Sequence, residues 1–176
     1  MHRLFFALEP DERARARIAA FATSLRQAEG GGGWSEPARF HITLAFLGSW
    51  EAYPEAEAVR AIAAARGLTA VPFTVRLERL DSFRGSRSPW VLAAAASLPL
   101  RALAADLRDR LVAAGIAHDP KPFAPHLTVR RAREPAPARA VPPIEWVAGD
   151  FVLLHGEEGA PAYRTLARYP LAERAA

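Results

Sequence analysis

Two tetrapeptides constrain this chain more than any other feature: His41-Ile42-Thr43-Leu44 and His126-Leu127-Thr128-Val129. In each, a histidine and a threonine stand two residues apart, with aliphatic residues at the alternate positions. Side chains at i and i+2 of a strand project from the same face. Each copy therefore presents an imidazole and a hydroxyl on one side and turns its aliphatic pair towards a core. The copies lie close to half a chain length apart, which predicts a duplicated unit whose motif strands face each other across a cleft.

The intervening sequence supplies elements to carry such a pair. Arg3 to Leu8 reads as a short buried strand ended by Pro10, and Asp11 and Glu12 open a helix, as acidic residues in a first turn should. Ala14, Ile18, Phe21 and Leu25 fall on one helical face, and Gly30 to Gly33 stop the helix. This glycine run lacks the lysine and hydroxyl ending of a phosphate-binding P-loop and precedes a strand rather than a helix, so it reads as a terminator and loop. Phe40 to Leu47 is the first motif strand. A second helix starts near Pro54 with Val59 and Ile62 expected to face inward.

Pro72 to Leu80 and Trp90 to Ala96 read as strands joined by a loop from Ser82 to Pro89. Pro99 suits the first turn of a third helix with the stripe Leu100, Leu103, Leu107 and Leu111, and Gly115 suits its end. Lys121 to Pro125 leads into the second motif strand as Pro37 and Phe40 lead into the first. Glu134 to Pro143, with four prolines, reads as a loop. Asp150 to His155 and Ala162 to Tyr169 read as a closing hairpin. This order predicts an α+β fold: one domain over residues 1–176, made of two pseudo-symmetric lobes of antiparallel sheet with outer helices and a central cleft.

Bulk properties remove several alternatives. A chain of 176 residues with 51% hydrophobic content can bury a core without a staple. With no cysteine, disulfides, thiolate nucleophiles and cysteine-ligated zinc are excluded, which suits a reducing cytoplasm. The apolar runs Leu4 to Leu8 and Val91 to Ala96 are far shorter than the roughly 20 residues of a membrane span, so neither secretion nor insertion is expected. The net charge of +4 is carried almost wholly by arginine, Lys121 being the only lysine. Arginine forks suit phosphate, although a composition biased towards alanine and arginine is the better explanation of the count.

Two facing His-x-Thr strands have a specific chemical use. One imidazole can take a proton and the other give one near neutral pH, on opposite sides of a reacting centre. The hydroxyls beside them can donate hydrogen bonds to non-bridging oxygens of an anion. That symmetry suits in-line displacement at phosphorus. A single histidine among aliphatics is more often a hydrogen-bonded structural residue, and threonine is a good strand former; two copies with matching proline–aromatic entries favour function. Metal ligation is a poorer use, because two imidazoles fall short of the three protein ligands of catalytic zinc and no acidic residue shares either motif. No metal and no cofactor is expected.

With these motifs the chain resembles the two-histidine (2H) phosphoesterase superfamily, and within it the RNA 2′,3′-cyclic phosphodiesterase (2′-5′ RNA ligase) family. The matching stretches are Arg3 to Leu8, Phe40 to Gly48, Pro122 to Val129 and Tyr163 to Leu171. The resemblance implies a bilobal fold and metal-independent opening of a 2′,3′-cyclic phosphate to a 2′-phosphate, with 2′-5′ ligation as a related reaction. It implies His41 and His126 as the acid–base pair and Thr43 and Thr128 as phosphate ligands; His126 is taken as base and His41 as acid, the symmetry of the two motifs leaving the reverse assignment open.

It also implies an arginine five residues after the second histidine, Arg131, whereas strict strand alternation nominates Arg130. Arg131 is the first choice and Arg130 the alternative. Arg39 departs from the family's usual asparagine. His155 stands in a stretch that often carries serine or glutamate and is expected on the hairpin surface. Phe5 and the aromatics near the motifs are expected in the core rather than stacked on a base.

The partners implied are RNA ends or cyclic nucleotides, acted on by a monomer. A module that binds RNA ends without turnover, and a phosphodiesterase for another cyclic phosphate such as an ADP-ribose cyclic phosphate, are the alternatives.

Overall fold

A computed structural model describes residues 1–83, 88–95 and 97–172. Eight strands form one antiparallel sheet: β1 (His2–Leu8), β2 (Ile42–Trp50), β3 (Phe73–Ser82), β4 (Ser88–Ala94), β5 (His126–Ala132), β6 (Arg139–Ala148), β7 (Asp150–Glu157) and β8 (Arg164–Pro170), in the order β6-β3-β4-β5-β2-β1-β7-β8. Three helices, α1 (Glu12–Glu29), α2 (Glu55–Ala65) and α3 (Leu98–Ala113), complete an α+β fold.

The sheet divides into two sets of four at its centre, where the motif strands β2 and β5 meet at a single bridge, Ile42 opposite Leu127. The units β1-α1-β2 and β4-α3-β5 correspond across that bridge. β1 is flanked by β2 and β7, and β4 by β5 and β3.

The core lies between the sheet and the helices. α1 starts where the Asp11 side chain accepts the Ala14 N–H at 2.7 Å and buries Ala14, Ile18, Ala22 and Leu25. α3 buries all four stripe leucines. β1 is covered on both sides: Leu4, Phe6 and Leu8 join the main core, while Phe5 and Ala7 pack with Val152 and Leu154 in a small cluster on the other face.

Three expectations are corrected. α2 turns Val59 outward, 61% exposed, and buries Ala58, Ala61 and Ala65; packed on α3 and β8, it uses its alanine face. Residues 139–143, expected in a loop, open β6, which tolerates Pro142 and Pro143 because it is an edge strand with one side free of pairing. His155 is 8% exposed rather than on the surface. It pairs with Leu4 on β1, hence on the helical side, with its Nε2 2.9 Å from His2 Nδ1. Of the expected strand to Ala96 and the loop from Ser82 to Pro89, residues 84–87 and 96 lie outside the described residues.

The glycine run does more than end α1. Gly30 terminates the helix at φ 62°, and the chain then runs beside β5: Arg131 N–H donates to Gly33 O at 2.8 Å and Ser35 N–H to Val129 O at 2.9 Å. β5 carries a bulge at this point, since Trp90 pairs with Arg130 and Val91 with Thr128, leaving Val129 without a partner on β4.

Candidate active site

The bridge between the motif strands fixes the site. Ile42 and Leu127 are fully buried, at 0% exposure, so their neighbours His41, Thr43, His126 and Thr128 project from the opposite face. In the antiparallel register of that bridge, His41 stands across from Thr128 and Thr43 across from His126. Each imidazole is thus matched with the hydroxyl of the other motif, and all four groups share the face away from the helices.

The imidazoles are anchored identically. His41 Nδ1 lies 2.7 Å from Arg39 O, and His126 Nδ1 lies 2.7 Å from Ala124 O. A carbonyl only accepts, so Nδ1 carries the hydrogen in both rings and each Nε2 is left with its lone pair for chemistry. The main chain two residues before each motif histidine, where the matching entries run, thereby sets the tautomer.

Burial is the main cause of a lowered pKa at both rings. It takes His41 to about 4, with further lowering by the charges of His126, Arg131 and Arg39 and partial relief from the bond to Arg39 O. His126 is lowered by burial and by Arg131, against the bond to Ala124 O. Both imidazoles are therefore neutral at pH 7 in a positive field, and each feels its neighbours' charge. Such a field suits an anion, whose negative charge would draw a proton onto a ring.

The two candidate arginines diverge. Beyond the bulge, alternation restarts with Arg130 inward: its guanidinium lies 4.9 Å from the Trp34 ring centroid and 4.6 Å from that of Trp90, and its Nε donates to Gly32 O at 3.1 Å. Arg131 is exposed and its charge acts on both histidines.

Several groups here were not singled out as site residues in the sequence. The Tyr163 ring is edge-on to His41 at 5.2 Å and carries Arg39 over its face at 4.6 Å. Phe5 lies 4.8 Å from His41, and Phe83 is edge-on to His126 at 4.6 Å. Tyr163 opens the last family-like stretch, and Phe83 is the one aromatic in a polar loop; those were the available signals. Among the described residues, no cluster of three or more His, Cys, Asp or Glu side chains could hold a metal ion, and no helix is long and apolar enough to cross a membrane.

The chain is similar to known proteins in sequence and in fold. A model of the 2′-5′ RNA ligase superfamily matches residues 10–160. An RNA 2′,3′-cyclic phosphodiesterase of Thermus thermophilus is 33% identical, over 96% of this chain and 90% of that protein. The crystal structure of E. coli LigT in its apo form superposes with a TM-score of 0.76 at 26% identity, covering 98% of each chain. LigT complexed with 3′-AMP superposes with a TM-score of 0.74 at 27% identity, covering 98% of this chain and 99% of that one.

Proposed function

The chain belongs to the 2′-5′ RNA ligase superfamily, and on that footing we propose that it hydrolyses RNA or nucleotide 2′,3′-cyclic phosphates to 2′-phosphates with His41 and His126 as a metal-independent acid–base pair. The observation that carries this reading is the matched anchoring of the two imidazoles. Both hold Nδ1–H on a carbonyl two residues back, which leaves the lone pair on Nε2, and both stand on the face that bears Thr43 and Thr128. The curated phosphodiesterase and the 3′-AMP complex of the relative support the same substrate class.

The cyclic phosphate sits between the rings, its non-bridging oxygens taking hydrogen bonds from the two threonines and charge from Arg131. His126 Nε2 removes a proton from water as the water oxygen bonds to phosphorus. The bond to O3′ breaks on the far side, and His41 gives its Nε2 proton to that oxygen. A 2′-phosphate and a 3′-hydroxyl result. The incoming anion loads the proton onto His41, and an imidazole whose pKa is depressed by burial is a strong donor once loaded. A 5′-hydroxyl of a second RNA in the place of water gives a 2′-5′ linkage by the same path. One chain carries both motifs, so a monomer suffices, and the cysteine-free sequence suits the cytoplasm.

Replacement of the departing 3′ oxygen by sulfur tests the roles, because a thiolate leaves without a proton. Turnover of the 3′-thio cyclic phosphate should be restored in His41→Ala and not in His126→Ala. The reverse pattern would exchange the roles, and formation of a 3′-phosphate from the normal substrate would overturn the stated bond cleavage.

A further inference from the structure

The two imidazoles are anchored alike but flanked differently, and the flank of His41 carries groups that the displacement itself does not use. The Tyr163 ring stands edge-on to His41 at 5.2 Å and edge-on to Phe5 at 5.0 Å. It lies close against β7, where a Cβ built on Gly156 would come within 3.0 Å of the ring and 3.9 Å of the Arg3 Cβ. Arg3 pairs with Gly156 as Phe5 pairs with Leu154, so Arg3 shares the face of Phe5 and of the acid–base pair. Tyr163 is thus bordered by His41, Phe5 and the stem of Arg3, and the Arg39 guanidinium covers one of its faces, 4.6 Å from the centroid.

Neither of these guanidinium groups is engaged by a protein acceptor. Among the described residues, Arg39 makes its ring contact but no side-chain hydrogen bond or ion pair, and exposed Arg3 makes neither. Elsewhere in the chain Arg15, Arg108 and Arg110 donate to main-chain oxygens, and Arg168 pairs with Asp150 and Glu9. A cation–π contact holds a guanidinium by its charge and leaves its N–H donors unsatisfied, and those donors match phosphate oxygens. The charge of Arg39 already reaches the reacting centre, since it is felt at the His41 ring.

In the displacement set out above, O3′ departs towards His41, so the ribose lies on that side of phosphorus. In an RNA end the chain continues from the 5′ oxygen of this ribose past the same flank, and the first group along it is a phosphodiester. We infer that Arg39 and Arg3 bind that phosphodiester, the one on the 5′ side of the terminal nucleotide. The inference rests on the phosphodiesterase reading and narrows its substrate class: RNA ends of two or more nucleotides are preferred, and cyclic mononucleotides are poorer substrates.

The test compares a dinucleotide ending in a 2′,3′-cyclic phosphate with its analogue whose internal linkage is a methylphosphonate. The two share bases, sugars and reacting phosphate, and differ by the negative charge of the linkage. In the native protein kcat/KM should favour the phosphodiester by roughly 10- to 100-fold, the worth of one charge-assisted bond, and the preference should shrink as salt rises. Arg39→Gln and Arg3→Gln should each lower this ratio, and the two together should bring it close to unity, whatever happens to the absolute rates. A native ratio near unity, or a ratio that both substitutions together leave unchanged, would overturn the inference.

Calorimetric titration with the two corresponding dinucleotides that end in a 2′-phosphate separates this from failure of the phosphodiesterase reading. Tighter binding of the phosphodiester-linked compound, lost in Arg39→Gln, supports the subsite even without turnover, and equal binding of the two linkages by the native protein contradicts it.

Discussion

The guanidinium of Arg130 lies 4.6 Å from the ring centroid of Trp90 and 4.9 Å from that of Trp34, and these contacts hold it in the packed interior while its neighbour Arg131 stays exposed beside the acid–base pair. The two arginines should therefore fail differently. Arg130→Ala removes two cation–π contacts and a filled site, and should cost about 1–3 kcal/mol of stability, read as a lowered Tm. Arg131→Ala should leave Tm nearly unchanged and raise KM for a cyclic nucleotide by roughly 10- to 100-fold, the worth of one charge-assisted bond. A Tm loss in Arg131→Ala with normal KM would assign the roles the other way.

The glycine run makes a graded prediction. A Cβ at Gly33, φ 81°, would collide with the main-chain oxygen of Arg131, whereas one at Gly30, φ 62°, meets nothing within 4 Å. Gly30→Ala should cost only the strain of a backbone conformation reserved for glycine (φ 62°, ψ −158°), about 1–3 kcal/mol. Gly33→Ala should cost more and also weaken phosphate inhibition, because it displaces the segment that pairs with β5 at Arg131. Urea melts and phosphate inhibition of the two variants check this; equal effects would contradict it.

The lowered histidine pKa values give a signed pH dependence. The unfolded chain takes up protons near 6.5 while folded His41 does so only near 4, so stability is full above pH 6.5 and is lost as pH falls towards 4. The loss is of order 3 kcal/mol from His41, with a further contribution in the same direction from His126. His41→Gln should flatten the stability profile in this window. In catalysis, kcat/KM reports the free protein, in which the acid is protonated only at low pH. Above the pH at which the base His126 has also lost its proton, kcat/KM should therefore decline as pH rises, while kcat, measured with the anion bound, holds to higher pH. Coincident profiles for kcat and kcat/KM would contradict a substrate-loaded acid.

What the sequence revealed and what it hid follow from locality. The His-x-Thr strands are legible because a period of two is a local pattern, and their meeting at Ile42 and Leu127 follows from burying the aliphatic partners. The choice between Arg130 and Arg131 is not local: it depends on a bulge at Val129 held by β4 on one side and the segment Gly33 to Ser35 on the other. Pro142 and Pro143 argue for a loop until the sheet order makes β6 an edge. Val59 loses to Ala58, Ala61 and Ala65 because α2 lies against α3 and β8, a neighbourhood its own periodicity does not carry. His155 is hidden for a similar reason, its burial arising from pairing with Leu4 at the far end of the chain.

The acid–base pair is tested most directly by hydrolysis of a 2′,3′-cyclic nucleotide in excess chelator, by the native protein and by His41→Ala and His126→Ala, each shown folded by circular dichroism. The native protein should turn over undiminished, and each variant should lose roughly 10²- to 10⁴-fold or more. Near-normal turnover in either variant, or activity abolished by the chelator, would contradict the account.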